Sequence, residues 1–197
     1  MILSGIIIIS AYLIGSISSA IIVCKLMGLP DPRSEGSGNP GATNVLRVGN
    51  KKAAAITLIG DILKGLVPVL IARTVTDDSN VIALTAIAAF YGHLYPVFFG
   101  FKGGKGVATA AGVFFGISFP VGAMVAVTWL LVAAVTKISS ISALIAASLS
   151  PVYFSFIYGN NVYTYTAGFL AVVLIIRHRT NIRDLWLGKE DKFSDKE

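Results

Sequence analysis

Three stretches of this chain concentrate residues able to hold and transfer an anionic group. The first runs SEGSGNPGATN from Ser34 to Asn44 and continues to Arg47. Gly36, Gly38 and Gly41 free its backbone, Ser37, Asn39, Thr43 and Asn44 offer neutral hydrogen bonds, and Arg47 supplies a guanidinium fork suited to bidentate phosphate binding. The second, FGFKGGKGVAT, sets Gly103 and Gly104 between Lys102 and Lys105, adds Gly106, and leads into a helix at Val107. Glycines that take positive φ can turn successive amides toward an anion, and the helix N-terminus adds positive dipole. The third, RHRTNIRDLWLGKE, brings His178, Arg179, Asn181 and Arg183 together. Phosphate is the ligand these inventories suit; the alternative for the second segment is a flexible basic turn against anionic headgroups, and for the third that Arg177 and Arg179 are snorkelling anchors.

Several familiar machineries are excluded. Gly36-x-Gly38-x-x-Gly41, with Asp61 behind it, copies a dinucleotide fingerprint in form, but a long apolar run precedes it and no βαβ pattern surrounds it. The stretch from Gly100 to Gly106 is one residue short of a Walker A loop and lacks its Ser/Thr. The acidic residues of the polar segments show no metal-ligand spacing, so a metal-dependent phosphatidyltransferase is disfavoured and neither metal nor cofactor is implied. There is no G-x-S-x-G elbow, and no His-x4-Asp pattern follows His93 or His178. Phosphate binders abound; an obvious base or nucleophile does not.

The elements that carry these segments are apolar helices. Of 197 residues, 55% are hydrophobic and 13% charged, and the mean hydropathy is +0.78. That balance describes a polytopic membrane protein, a single all-α domain over residues 1–197. The first run lacks the positive n-region of a signal peptide and exceeds its h-region, so it reads as a membrane helix. Cys24, the one cysteine, sits inside it as a packing residue. Seven spans are expected, near 3–24, 53–72, 80–99, 107–119, 121–136, 139–158 and 162–176, with Pro120 dividing the fourth from the fifth; one long broken helix is the alternative there. With the N-terminus outside, all but two of the 16 basic residues, Lys64 and Arg73, fall on the cytoplasmic side. The positive-inside rule then puts the C-terminus and all three polar segments in the cytoplasm. Asp61 and Lys64, three apart within a span, are expected to pair structurally toward the bundle interior.

Taken together and in this order, GSGNPGATN…R, GH…P…FKGGKGVAT and HRxNI…GxE resemble the bacterial acyl-phosphate:glycerol-3-phosphate acyltransferases over essentially the whole chain. One departure is Asp184, where the family pattern usually has arginine; here Arg183 precedes it. The resemblance implies transfer of a fatty acyl group from acyl phosphate to the sn-1 hydroxyl of glycerol 3-phosphate at the cytoplasmic face of the bacterial plasma membrane, the first acylation of phospholipid biosynthesis. Membrane lipids and the upstream enzyme that makes acyl phosphate are implied partners, and nucleic acid is not. It also implies that Ser37, Arg47, Lys105, His178 and Asn181 carry catalysis. The substrate-binding positions would be Gly38, Asn39, Gly41, Ala42, Thr43, Asn44, Lys102, Gly103, Gly104, Gly106, Thr109 and Arg179. His93 either orients the second loop or is a satisfied structural histidine. An organic-phosphate transporter, which would usually show inverted repeats, and a non-catalytic lipid-binding scaffold, which would not need so many small hydrogen-bonding residues, are the competing classes.

Overall fold

The computed structural model describes residues 2–48 and 50–192; Asp195, Lys196 and Glu197, which belong to the acidic and basic residues expected on the cytoplasmic side, lie outside the described residues. Within them the chain is helical and contains no strand. Backbone contacts divide it into two compact units, Met1–Ile117 and Ser118–Glu197. The first holds α1 (Ile2–Gly15), α2 (Ser19–Leu26), the short α3 (Ala42–Arg47), α4 (Lys51–Val75), α5 (Ser79–Leu94) and α6 (Val107–Ile117). The second holds α7 (Phe119–Thr136), α8 (Ser139–Tyr158), α9 (Val162–Arg177) and α10 (Arg179–Trp186).

Helices occupy every expected apolar run, with two differences. The first run is not one rod: it breaks between Gly15 and Ser19, and α1 and α2 diverge by 43°. Gly15 lies against the backbone of Ala89 and Gly92 against that of Tyr12, so α1 and α5 touch closely where the chain bends. The other difference is the boundary placed at Pro120. The helix ends at Ile117 and restarts at Phe119, leaving Pro120 inside the first turn of α7, where its missing N–H costs nothing. Ser118 is the cap instead, its hydroxyl accepting from the amide of Val121 at 3.4 Å.

Lys51–Val75, Ser79–Phe99, Phe119–Thr136 and Ser139–Tyr158 are long and apolar enough to cross a bilayer, and the bent α1–α2 pair makes a fifth if it counts as one span. α6 and α9, at 11 and 16 residues, are shorter than a span of about 20 residues.

α4 shows what kind of solvent surrounds the first unit. Thr57, Asp61, Lys64, Pro68 and Ala72 recur every three or four residues and are buried, while Ile56, Leu63, Val67, Leu70 and Ile71 face out. Polar residues inward and large apolar residues outward is the reverse of a water-exposed amphipathic helix. The buried stripe of α4 meets α6 through small residues. A Cβ on Gly65 would strike the carbonyl oxygen of Thr109, and one on Gly112 would strike that of Ile62. The two backbones therefore run in contact, as membrane helices pack when lipid offers no hydrophobic drive. In the second unit α8 packs on both α7 and α9, and Thr128 shares a 2.7 Å hydrogen bond with Tyr153 across the α7–α8 seam.

Candidate functional site

Two of the three polar segments meet within the first unit. Loop one joins α2 to α4 and contains α3; loop two joins α5 to α6. The Arg33 guanidinium donates to the carbonyl of Phe99 at 3.4 Å, and the Pro40 carbonyl oxygen lies 3.2 Å from where a Cβ on Gly104 would stand.

Loop one is organised by Asn44, which is 1% exposed. Its amide nitrogen donates to the carbonyls of Pro32 (2.7 Å) and Glu35 (2.9 Å), and its oxygen accepts from the Ser37 amide at 2.8 Å. Both amide hydrogens and one acceptor site are thus committed to the loop's own backbone, which makes Asn44 the frame of the loop. Gly36 sits at φ +57, and a Cβ there would collide with that Asn44 oxygen. Gly38 is also left-handed, at φ +68. The result presents Ser37 at the exposed turn, with Asn39 and Thr43 half-buried beside it. Gly41 precedes α3, Ala42 opens it, and Arg47, half-buried, ends it. At the loop's start the Arg33 guanidinium binds Asp31 at 2.7 Å, and those hydrogen bonds hold the Asp31 carboxyl below its ordinary value.

Loop two follows a different plan. After the turn Val97–Phe99, Gly100 and Phe101 are both left-handed, at φ +66 and +59. The bulky Phe101 pays for that conformation with local strain, while its amide donates to the Pro96 carbonyl at 3.0 Å. Of the three glycines expected to take positive φ toward a ligand, only Gly106 does so, at φ +91. Gly103 and Gly104 are needed for a different reason: they lie directly on the end of α5. A Cβ on Gly103 would strike the carbonyl oxygens of His93 and Leu94, and one on Gly104 would strike the His93 ring at Nε2. The Gly104 amide donates to the His93 carbonyl at 3.2 Å. Lys102 is exposed and Lys105 half-buried on either side of this packed pair, and Val107 begins α6 as expected. Thr109 is fully buried on the α4–α6 seam, so it joins helices rather than lining the loop.

The third segment belongs to the second unit. His178 ends α9 and precedes α10; it is 3% exposed, and its Nδ1 stands 2.8 Å from the Leu174 carbonyl. A carbonyl only accepts, so Nδ1 carries the hydrogen, and in the neutral ring the acceptor role passes to Nε2. The Asn181 side chain donates to Glu190 at 2.7 Å, which fastens α10 to the chain that follows it. Arg179 is exposed, and Arg183 turns to its neighbour Asp184 at 3.2 Å. Glu190 had been visible as the last letter of GxE without a role; it is the partner of Asn181.

Asp61 and Lys64 pair as their spacing predicts, at 2.8 Å and almost wholly buried. The sequence did not reveal that His93 of α5 joins them, its Nδ1 3.8 Å from the same Asp61 oxygen.

A family model for glycerol-3-phosphate acyltransferase matches residues 5–188. The glycerol-3-phosphate acyltransferase of Thioalkalivibrio sulfidiphilus (strain HL-EbGR7) is 56% identical over 196 residues, covering 100% of this chain and 97% of that protein. The one from Hydrogenovibrio crunogenus (strain DSM 25203 / XCL-2) is 58% identical over 182 residues, 92% of this chain and 87% of the relative. Among solved structures, PlsY, an integral membrane glycerol 3-phosphate acyltransferase, superposes in its glycerol 3-phosphate form with a TM-score of 0.93 at 39% identity, over 97% of this chain and 96% of that one. Its lysophosphatidic acid form gives a TM-score of 0.90 at 38% identity, over 96% and 94%.

Proposed function

Because the chain belongs to the glycerol-3-phosphate acyltransferase family, we propose that it transfers a fatty acyl group from acyl phosphate to the sn-1 hydroxyl of glycerol 3-phosphate, releasing lysophosphatidic acid and inorganic phosphate. It is a multi-pass membrane acyltransferase. The acyl-phosphate donor, the position acylated and the cytoplasmic orientation of the loops are our reading. The observation that carries it is the meeting of two glycine-rich loops in one unit, one containing Arg47 and the other Lys102 and Lys105.

Both proposed substrates carry phosphate, so the reaction asks for two anion sites and little else. Acyl phosphate is a mixed anhydride with phosphate as leaving group: the glycerol hydroxyl oxygen forms the new ester bond at the acyl carbon as the anhydride C–O bond breaks. Positioning and neutralisation of the developing charge can then supply most of the catalysis. In this scheme Arg47 and Lys105 hold phosphate and Ser37 touches the reacting hydroxyl or acyl carbonyl, while His178 and Asn181 keep the role that the family resemblance implies for them. The hydroxyl proton passes to a substrate phosphate oxygen, so no protein carboxylate has to serve as base. The donor tail lies among the apolar helices.

Purified protein given palmitoyl phosphate and glycerol 3-phosphate should release phosphate and form lysophosphatidic acid, unaffected by chelator and not supported by acyl-CoA in place of acyl phosphate. Release of phosphate without a lipid product would overturn the reading, as would loss of activity in chelator restored by magnesium. A transporter or a lipid-binding scaffold would give neither product.

A further inference from the structure

We propose that His93 is the positioning residue of loop two, steadied from behind by the buried Lys64–Asp61 pair; this rests on the reading of that loop as a substrate cradle. The chain of contacts is continuous. Where the first span breaks, the carbonyl of Ile17 accepts a 2.9 Å hydrogen bond from Lys64 Nζ. The same ammonium binds Asp61 Oδ1 at 2.8 Å, and that oxygen faces His93 Nδ1 at 3.8 Å, within ion-pair range though longer than a good hydrogen bond. On the far side of the imidazole, Nε2 abuts the Cα of Gly104, whose amide also binds the His93 carbonyl. Loop two is thereby gripped by His93 through both backbone and ring, one residue before Lys105.

Two features separate this from ordinary packing. A buried ion pair tends to break even against well-packed apolar residues, and between apolar helices it is expensive to desolvate, so stability alone is a poor reason for Asp61 and Lys64. His93 is also badly placed to be a base: it is 6% exposed, and its outer nitrogen faces Gly104 so closely that an added Cβ there would strike it. What remains for the ring is to set the height of Gly104, and with it the ammonium of Lys105, over the bound phosphate.

The test uses full-length protein in detergent, with phosphate release from palmitoyl phosphate measured against glycerol 3-phosphate concentration. His93→Ala should raise KM for glycerol 3-phosphate by about tenfold while kcat changes less, since a small misplacement of a binding group is enough. The two amide replacements divide the ring between them. Gln reaches the position of Nε2 and should recover most of the lost affinity, whereas Asn reaches only that of Nδ1 and should recover little. Asp61→Asn alone would strand a buried Lys64, so it is paired with Lys64→Met; that double variant should purify intact and raise KM in the same direction. Wild-type KM in His93→Ala, equal rescue by Asn and Gln, or failure of every His93 variant to fold would overturn the proposal. Inactivity of the wild-type protein with these substrates would instead overturn the functional reading beneath it.

Discussion

Loop one is clipped by one buried asparagine, whereas loop two is laid by its glycines on the end of α5. In the first, Asn44 reaches from α3 to three backbone groups, Pro32, Glu35 and Ser37. In the second, Gly103 and Gly104 rest on the carbonyls and imidazole of the helix they leave. The two loops touch, yet their weaknesses are opposite. A loop held by a side chain is undone by removing atoms, and a loop held by close backbone contact is undone by adding them.

The sharpest test of that contrast is Asn44→Ala. It leaves the Pro32 and Glu35 carbonyls and the Ser37 amide without their partner, and at roughly 1 kcal/mol per net hydrogen bond kcat/KM should fall on the order of a hundredfold. A near-normal rate would mean that loop one holds its shape without the clip. Gly104→Ala comes next. The added Cβ pushes on His93, and KM for glycerol 3-phosphate should rise by about thirtyfold, more than kcat falls, if the loop serves binding. A rate defect with unchanged KM would assign the loop to the transition state instead. Arg47→Lys keeps the charge but loses the fork; one charge-assisted hydrogen bond contributes roughly 1.5–3 kcal/mol, so kcat/KM should drop about tenfold or more. The smallest effect belongs to Asp31→Asn at the solvent-facing start of loop one. Arg33 holds the Asp31 carboxyl below its ordinary 3.8. Whatever the pair adds to folding is therefore present above that value and lost only as pH falls through the lowered one. Exposed pairs contribute little, so between about pH 6 and 8 activity should stay within about twofold of wild type, and a pH-dependent loss in that range would refute the assignment.

The helices were legible because each apolar run is long enough to announce itself. The bend after Gly15 was not, since it depends on how closely α1 lies on α5, a distance that no local pattern encodes. Asp61 and Lys64 were legible as a pair because three residues is a helical neighbour distance; His93, on another helix, was not. In the polar segments the residue types were readable, but the direction of their hydrogen bonds was not. Asn44 looks like a ligand donor in sequence and turns its amide to the loop's own backbone in the structure, and Gly103 and Gly104, which read as glycines free to take positive φ, also let the loop lie directly on the end of α5. A glycine or an asparagine declares capacity, and only the fold decides who uses it.

The seam between α4 and α6 also bears on how this gene can change. Every glycine codon has the form GGN, and each missense step of one nucleotide leads to a residue with a Cβ. At Gly65 and Gly112 that atom would land on the carbonyl oxygen of the facing helix. Neither position has a mild neighbour in the genetic code, so random mutagenesis of the whole gene should return inactive alleles at these two codons whichever base is altered in the first or second place, while their third places vary among synonyms.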